Sequence, residues 1–211
     1  MKRALIIVDV QNDFCSGGTL VVPEGERVVP IINGLIASNK FNLIIGTKDW
    51  HPADHKSFAS NWQGKKVFDI VKLNDSDQIL WPDHCRRLSE GAQFHPDLNV
   101  ARFNVIIHKG TNPEVDSYSA FKDNDGTTVT GLWGLLQENM IEEIYICGLA
   151  TDYCVQATAI DAATISENED TGEKIIVIED ACRGVALEST AKALVEMKKS
   201  GIKIIKSTEI E

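Results

Sequence analysis

The chain has 211 residues, 43% of them hydrophobic and 25% charged, which suits one globular domain spanning residues 1–211 with a core of useful size. A formal charge of −10 with no offsetting basic patch argues against nucleic acid or a membrane surface as partner. The five cysteines, at 15, 85, 147, 154 and 182, are odd in number and lack CxxC spacing, which excludes a disulfide framework or zinc ribbon and points to a reducing, cytoplasmic setting.

Residues 4–10 form an apolar run, too short for a signal sequence, that reads as a buried strand. A helical pattern covers 28–39, and a second strand is expected at 43–47. The interval 50–100 scatters Pro, Gly, Asn, Asp and His without a sustained period and is expected to be a long functional loop. Strands at 103–108, 143–148, 175–178 and 202–205 alternate with helices at 131–139, 153–165 and 187–200, the last ended by Gly201 in a left-handed cap. The acidic stretch 167–173 reads as a solvated loop, and no run is long enough to span a bilayer. Strand followed by helix, repeated, predicts an α/β fold: an open, doubly wound, mostly parallel six-stranded sheet with helices on both faces. Ligands of such sheets collect at the carboxyl ends of the strands.

Four successive strands end in side chains that are unusual for a buried sheet edge: Asp9, then Asp49 and His51, then Lys109, then Cys154. One alone would be a turn cap or a solvated charge; four together indicate a site. Cys154 follows a tight turn, with Thr151 expected as the helix N-cap, and the start of a helix favours thiolate over thiol. It is the nucleophile candidate, whereas Cys147 inside its strand, and Cys15, Cys85 and Cys182, read as small core residues. No histidine is paired with it in the papain manner. Asp9 can instead take the thiol proton, with the Lys109 ammonium offsetting the two negative charges.

The segments VDVQNDF at 8–14, TKDWHP at 47–52, WPDHC at 81–85, Lys109-Gly110, DSYSAF at 116–121 and GLATDYC at 148–154 occur in order along the chain. Through them the sequence resembles the nicotinamidases, within the isochorismatase-like cysteine hydrolases, over nearly its whole length. The resemblance implies a Rossmann-like strand order, a triad of Asp9, Lys109 and Cys154, a cis peptide before Ala150, and an oxyanion hole from the backbone amides of Ala150 and Cys154. It also implies one divalent metal held by Asp49, His51 and His84, with zinc as first choice and iron or manganese acceptable to the same donors. Spacing alone leaves His55 and Asp83 open as rivals of His84, and Ser57 as a weak or water-mediated contact. Phe14, Trp81 and Tyr118, with Leu20 and Tyr153 as weaker members, would wall the substrate pocket.

The implied reaction converts nicotinamide to nicotinate and ammonia through a Cys154 thioester, in NAD salvage, with pyrazinamide as a second substrate and the metal holding the pyridine nitrogen. Self-association is implied by the same resemblance. The rival readings are another hydrolase of the superfamily acting on a different amide, and a non-catalytic metal- or pyridine-binding protein.

Overall fold

A computed structural model describes residues 1–73 and 76–211. In chain order it contains β1 (Arg3–Val8), α1 (Val28–Ala37), β2 (Leu43–Asp49), β3 (Ile70–Leu73), β4 (Ser76–Ile79), β5 (Val105–Lys109), α2 (Leu132–Glu138), β6 (Glu143–Leu149), α3 (Gln156–Glu169), β7 (Lys174–Arg183), α4 (Leu187–Lys199) and β8 (Lys203–Ile205). β2 and β6 are buried at every residue and β1 at all but its first, so apolar side chains follow one another along most of each strand and the alternation of a half-exposed strand is missing.

Six strands pair in parallel in the order β5-β2-β1-β6-β7-β8. Numbered among themselves along the chain they run 3-2-1-4-5-6, the doubly wound order expected from the sequence. α1 and α3 both pack on β7, and right-handed crossovers that run in opposite directions along the sheet, β1 to β2 and β6 to β7, bring them to its two faces. Leu5, Ile6, Ile7, Ile32, Ile36 and Ile144 fill the core between these layers. The order reverses between β1 and β6, which opens a crevice beyond their carboxyl ends. Asp9 and Cys154 lie immediately after those two strands.

Element boundaries differ from the sequence expectations where the backbone turns. β1 stops at Val8 rather than at residue 10, because Asp9 adopts a left-handed backbone, φ 49°, that no strand can continue. β2 extends through Asp49 and β5 through Lys109, so both charges sit on the last residues of strands. β7 continues well past residue 178: an irregularity interrupts its register with β6, and Cys182 and Arg183 then pair with Gly148 and Leu149. The interval 50–100 is not one structureless loop. β3 and β4 form an antiparallel pair within it, and Val71 and Leu80 pack with Ala59 in a small core of their own. Strands of four residues are too short to register as a period. Gly201 does take the expected left-handed conformation, φ 77°. Among the described residues, no helix is long and apolar enough to cross a membrane.

At the opposite end of the sheet Glu143 opens β6 as a buried carboxylate. It accepts from Arg3 Nε at 2.9 Å, Tyr145 Oη at 3.1 Å and Lys174 Nζ at 3.2 Å, joining the first residues of β1, β6 and β7. Burial alone would raise its pKa, but the bonds from Lys174, Arg3 and Tyr145 outweigh it and the net shift is downward. A carboxylate with a depressed folded pKa stabilises above its unfolded value, and that contribution is lost as pH falls through the folded one. Glu143→Gln is therefore expected to lower Tm by roughly 2–6 °C at pH 7. The gap to wild type should close below about pH 4. Thermal melts of both proteins across pH 3–7 test it.

Candidate active site

Four side chains from four strand ends converge in the crevice. Lys109 is buried to 1% exposure. Its Nζ lies 2.9 Å from Asp9 Oδ2, 2.5 Å from Asp49 Oδ1, 2.9 Å from the Ser117 carbonyl and 3.4 Å from Cys154 Sγ. One ammonium thus touches the thiol and both carboxylates. Its pKa is held well above that of a free lysine: burial alone would depress it, but Asp49 and Asp9 more than compensate. Thr47, on β2, donates its hydroxyl to Asp9 Oδ1 at 2.5 Å and so orients the carboxylate.

Cys154 is not in an ordinary first helical turn. Thr151 makes no side-chain cap, contrary to expectation; Ala150 occupies the N-cap position in an extended conformation, φ −95° and ψ 149°. The chain then makes a π-helical turn, Thr151–Val155, in which the Ala150 carbonyl accepts from Tyr153 N–H and Val155 N–H, both at 3.1 Å. Such widened turns recur at functional sites. The Leu149–Ala150 peptide is cis.

The expectation that the thiol is ionised at rest needs correcting. Burial pushes the Cys154 thiol up, and the carboxylates of Asp9 and Asp49 add to burial beyond what Lys109 recovers. Asp9 is also raised, by burial first, with Lys109 pulling the other way. Donor and acceptor are therefore shifted in the same direction, which leaves proton transfer between them feasible.

Asp49 faces two ways. Its Oδ1 meets Lys109, while Oδ2 lies 3.7 Å from His51 Nε2 and 4.0 Å from His84 Nε2. Burial opposes its charge, yet Lys109 and His51 hold it well below the usual carboxylate range. His51 Nδ1 donates to the Gly110 carbonyl at 2.9 Å and His84 Nδ1 to the Pro82 carbonyl at 2.8 Å. Because a carbonyl only accepts, both Nδ1 atoms carry hydrogen and both Nε2 atoms are free to ligate. Buried His51 Nε2 has no hydrogen-bond partner.

Ligands around a tetrahedral ion with bonds near 2.1 Å lie about 3.4 Å apart, so a small contraction of this trio would seat a metal. The donor set fits a divalent cation. Gly110, with φ +60°, makes room for it: a Cβ there would stand 2.4 Å from His51 Cε1.

The rival ligands are placed elsewhere. Asp83 turns outward, accepting from Ser60 Oγ at 2.5 Å. His55 is buried behind His51, ring centroids 4.2 Å apart, with its Nδ1 2.7 Å from Ser57 Oγ. Ligating atoms of His51, His55 and Asp116 also fall within 4.8 Å of one another. His51 has a single free ring nitrogen and cannot serve both groups.

Above this floor lies a cleft of about 470 Å³ lined by Phe14, Leu20, Trp81, Tyr118, Tyr153, Ala150 and Cys154, together with Asp49 and His84. Every pocket residue expected from the sequence is there. Trp81 Nε1 donates to Tyr118 Oη at 3.3 Å, and the Tyr153 ring packs edge-on against both, with centroids 5.3 and 5.7 Å away. Asp9, Lys109 and His51 are buried and are not among the residues that line it.

Sequence reasoning did not assign Val22, Asp116 or Val185, which also line the cleft. Val22 and Val185 carry no chemical signal, and Asp116 stood inside a quoted segment without a role. A wider groove of about 1730 Å³ at the far end of the sheet is open, and its Glu143 and Glu173 carboxylates are partnered.

A doubly wound α/β fold that joins a thiol, a carboxylate and an ammonium beside a metal-competent Asp-His-His group belongs to the class of hydrolases. The isochorismatase domain family matches residues 3–209, and the chain belongs to that family. It is 45% identical to the nicotinamidase of Escherichia coli strain K12, over 94% of this chain and 92% of that one. A solved structure of an Acinetobacter baumanii nicotinamidase pyrazinamidase superposes with TM-score 0.91 at 44% identity, covering 100% of this chain and 98% of the other. The pyrazinamidase of Pyrococcus horikoshii in complex with zinc superposes with TM-score 0.77 at 38% identity, covering 98% and 99%.

Proposed function

We propose that this chain hydrolyses nicotinamide to nicotinate and ammonia, the nicotinate entering NAD salvage, and that pyrazinamide is a second substrate. The observation that carries the reading is the contact of Lys109 with Cys154, Asp9 and Asp49 beneath a cleft of aromatic walls. The names of the similar proteins support the choice of amide.

Asp9 removes the Cys154 proton, and the thiolate attacks the carboxamide carbon. Asp9 returns that proton to the departing nitrogen, ammonia leaves, and a nicotinoyl thioester remains. Asp9 then takes a proton from water, whose oxygen attacks the thioester; nicotinate leaves and the sulfur is reprotonated. Backbone amides of Ala150 and Cys154 receive the developing oxyanion in both halves. Lys109 keeps the charge of the two carboxylates balanced while the sulfur is ionised. Asp49, His51 and His84 would hold a divalent cation, zinc first, that supplies a Lewis-acid grip on the ring nitrogen and so orients the carboxamide over the sulfur.

Ammonia release from nicotinamide, measured before and after removal of bound metal with a chelator, tests the reading. Complete removal is expected to lower kcat/KM by roughly 100-fold or more, with recovery on adding zinc back, because a substrate misplaced by about 1 Å loses that much. Unchanged release from a demonstrably metal-free protein would rule out the orienting role; no release from the metal-loaded protein would rule out the function. His84→Ala should lose bound metal in elemental analysis whatever its activity.

A further inference from the structure

The nucleophile turn is tied to another part of the cleft lining by a side chain the chemistry does not use. Asp152 lies two residues before Cys154, in the same π-helical turn. Its Oδ1 accepts from Val185 N–H at 2.9 Å, and its Oδ2 accepts from Ala186 N–H at 3.3 Å and from the Ser189 hydroxyl. The two amides belong to the link from β7 to α4, more than thirty residues downstream, and Ser189 to the first turn of α4. Ala186 occupies the N-cap position of α4 and makes no side-chain cap, while the carboxylate of Asp152, from another element, binds the N–H of that residue and sets a negative charge at the helix start.

Gly184 shows how closely the link is held. A Cβ there would stand 1.8 Å from Thr190 Oγ1 and 3.1 Å from Asp152 Oδ1. Val185, the next residue, lines the cleft together with the aromatic rings while remaining 38% exposed. It has little packing of its own to hold it there.

We propose that Asp152 is a positioning residue for substrate affinity: by binding the amides of Val185 and Ala186 it holds the Val185 side chain against the substrate ring at a fixed distance from Cys154. This deepens the proposed amidase function and rests on it. Asp152 reaches the substrate only through Val185, so its removal should act on binding more than on the chemical step.

The test is a double-mutant cycle on Asp152→Ala and Val185→Ala, with KM and kcat for nicotinamide measured on the metal-loaded enzyme. Each single variant is expected to raise KM by about tenfold with kcat within about threefold, and the double variant to be little worse than either. Asp152→Asn keeps an acceptor for Val185 N–H and should recover most of the lost affinity. KM unchanged in Asp152→Ala, or effects of the two substitutions that simply multiply, would overturn the proposal. Should Asp152→Ala fail to fold, Asp152→Glu carries the same cycle, since its longer carboxylate shifts the link without removing its partner. A wild-type enzyme that releases no ammonia would overturn the function and this inference together; an active one with a multiplicative cycle overturns the inference alone.

Discussion

Cys154→Ala is expected to lose ammonia release by roughly 10⁴-fold or more while remaining folded and still binding nicotinamide. The expectation follows from how little the substitution disturbs besides the reaction. Cys154 is 6% exposed, and its polar neighbour Lys109 keeps Asp9, Asp49 and the Ser117 carbonyl as partners without it. The aromatic walls and the Asp49-His51-His84 group do not depend on the sulfur. A stopped assay with labelled nicotinamide should show acyl-enzyme in the wild type and none in the variant. Full activity in Cys154→Ala would remove the thioester from the scheme. Retained binding with lost turnover would also set aside the view that this is only a pyridine-binding scaffold, because it separates holding the amide from cleaving it.

Much of this was legible in the sequence, for a specific reason. Residues at the ends of buried parallel strands are placed by the sheet itself: once β1, β2, β5 and β6 are adjacent, Asp9, Asp49, Lys109 and Cys154 have nowhere else to go. Charges at the ends of apolar runs can be read without knowing a single side-chain angle. The turn before Cys154 was less legible, because a π-helical turn and an ordinary N-cap require the same small and polar residues, and only the backbone distinguishes them. The ionisation of the thiol was misjudged for a related reason: the start of a helix and a nearby ammonium are visible in a sequence, whereas the depth of burial that outweighs them is not. Val185 and Asp152 were missed as a pair, since an aliphatic residue joined to a distant carboxylate through its backbone leaves no pattern.

Lys109→Met is expected to be the most damaging substitution for stability and activity together. It leaves two fully buried carboxylates facing each other without a counter-ion, a loss of about 3–5 kcal/mol for a broken buried pair. In a chain of this length that corresponds to a Tm lower by roughly 10 °C. Activity should fall in a pH-dependent way whose sign is fixed. Lys109 lowers the pKa of Asp9 against the pull of burial, so removing the ammonium moves Asp9 further up. A protonated Asp9 cannot accept the thiol proton, and the acid limb of kcat/KM should therefore shift to higher pH. Cys154 also loses the neighbour that favours its thiolate, so the alkaline limb should move to higher pH as well. A profile lowered uniformly, with no shift of either limb, would mean that Lys109 acts only in packing. Lys109→Arg should not rescue: one small ammonium reaches two carboxylates, a carbonyl and a sulfur, and a planar guanidinium fork cannot bring a single nitrogen among all four.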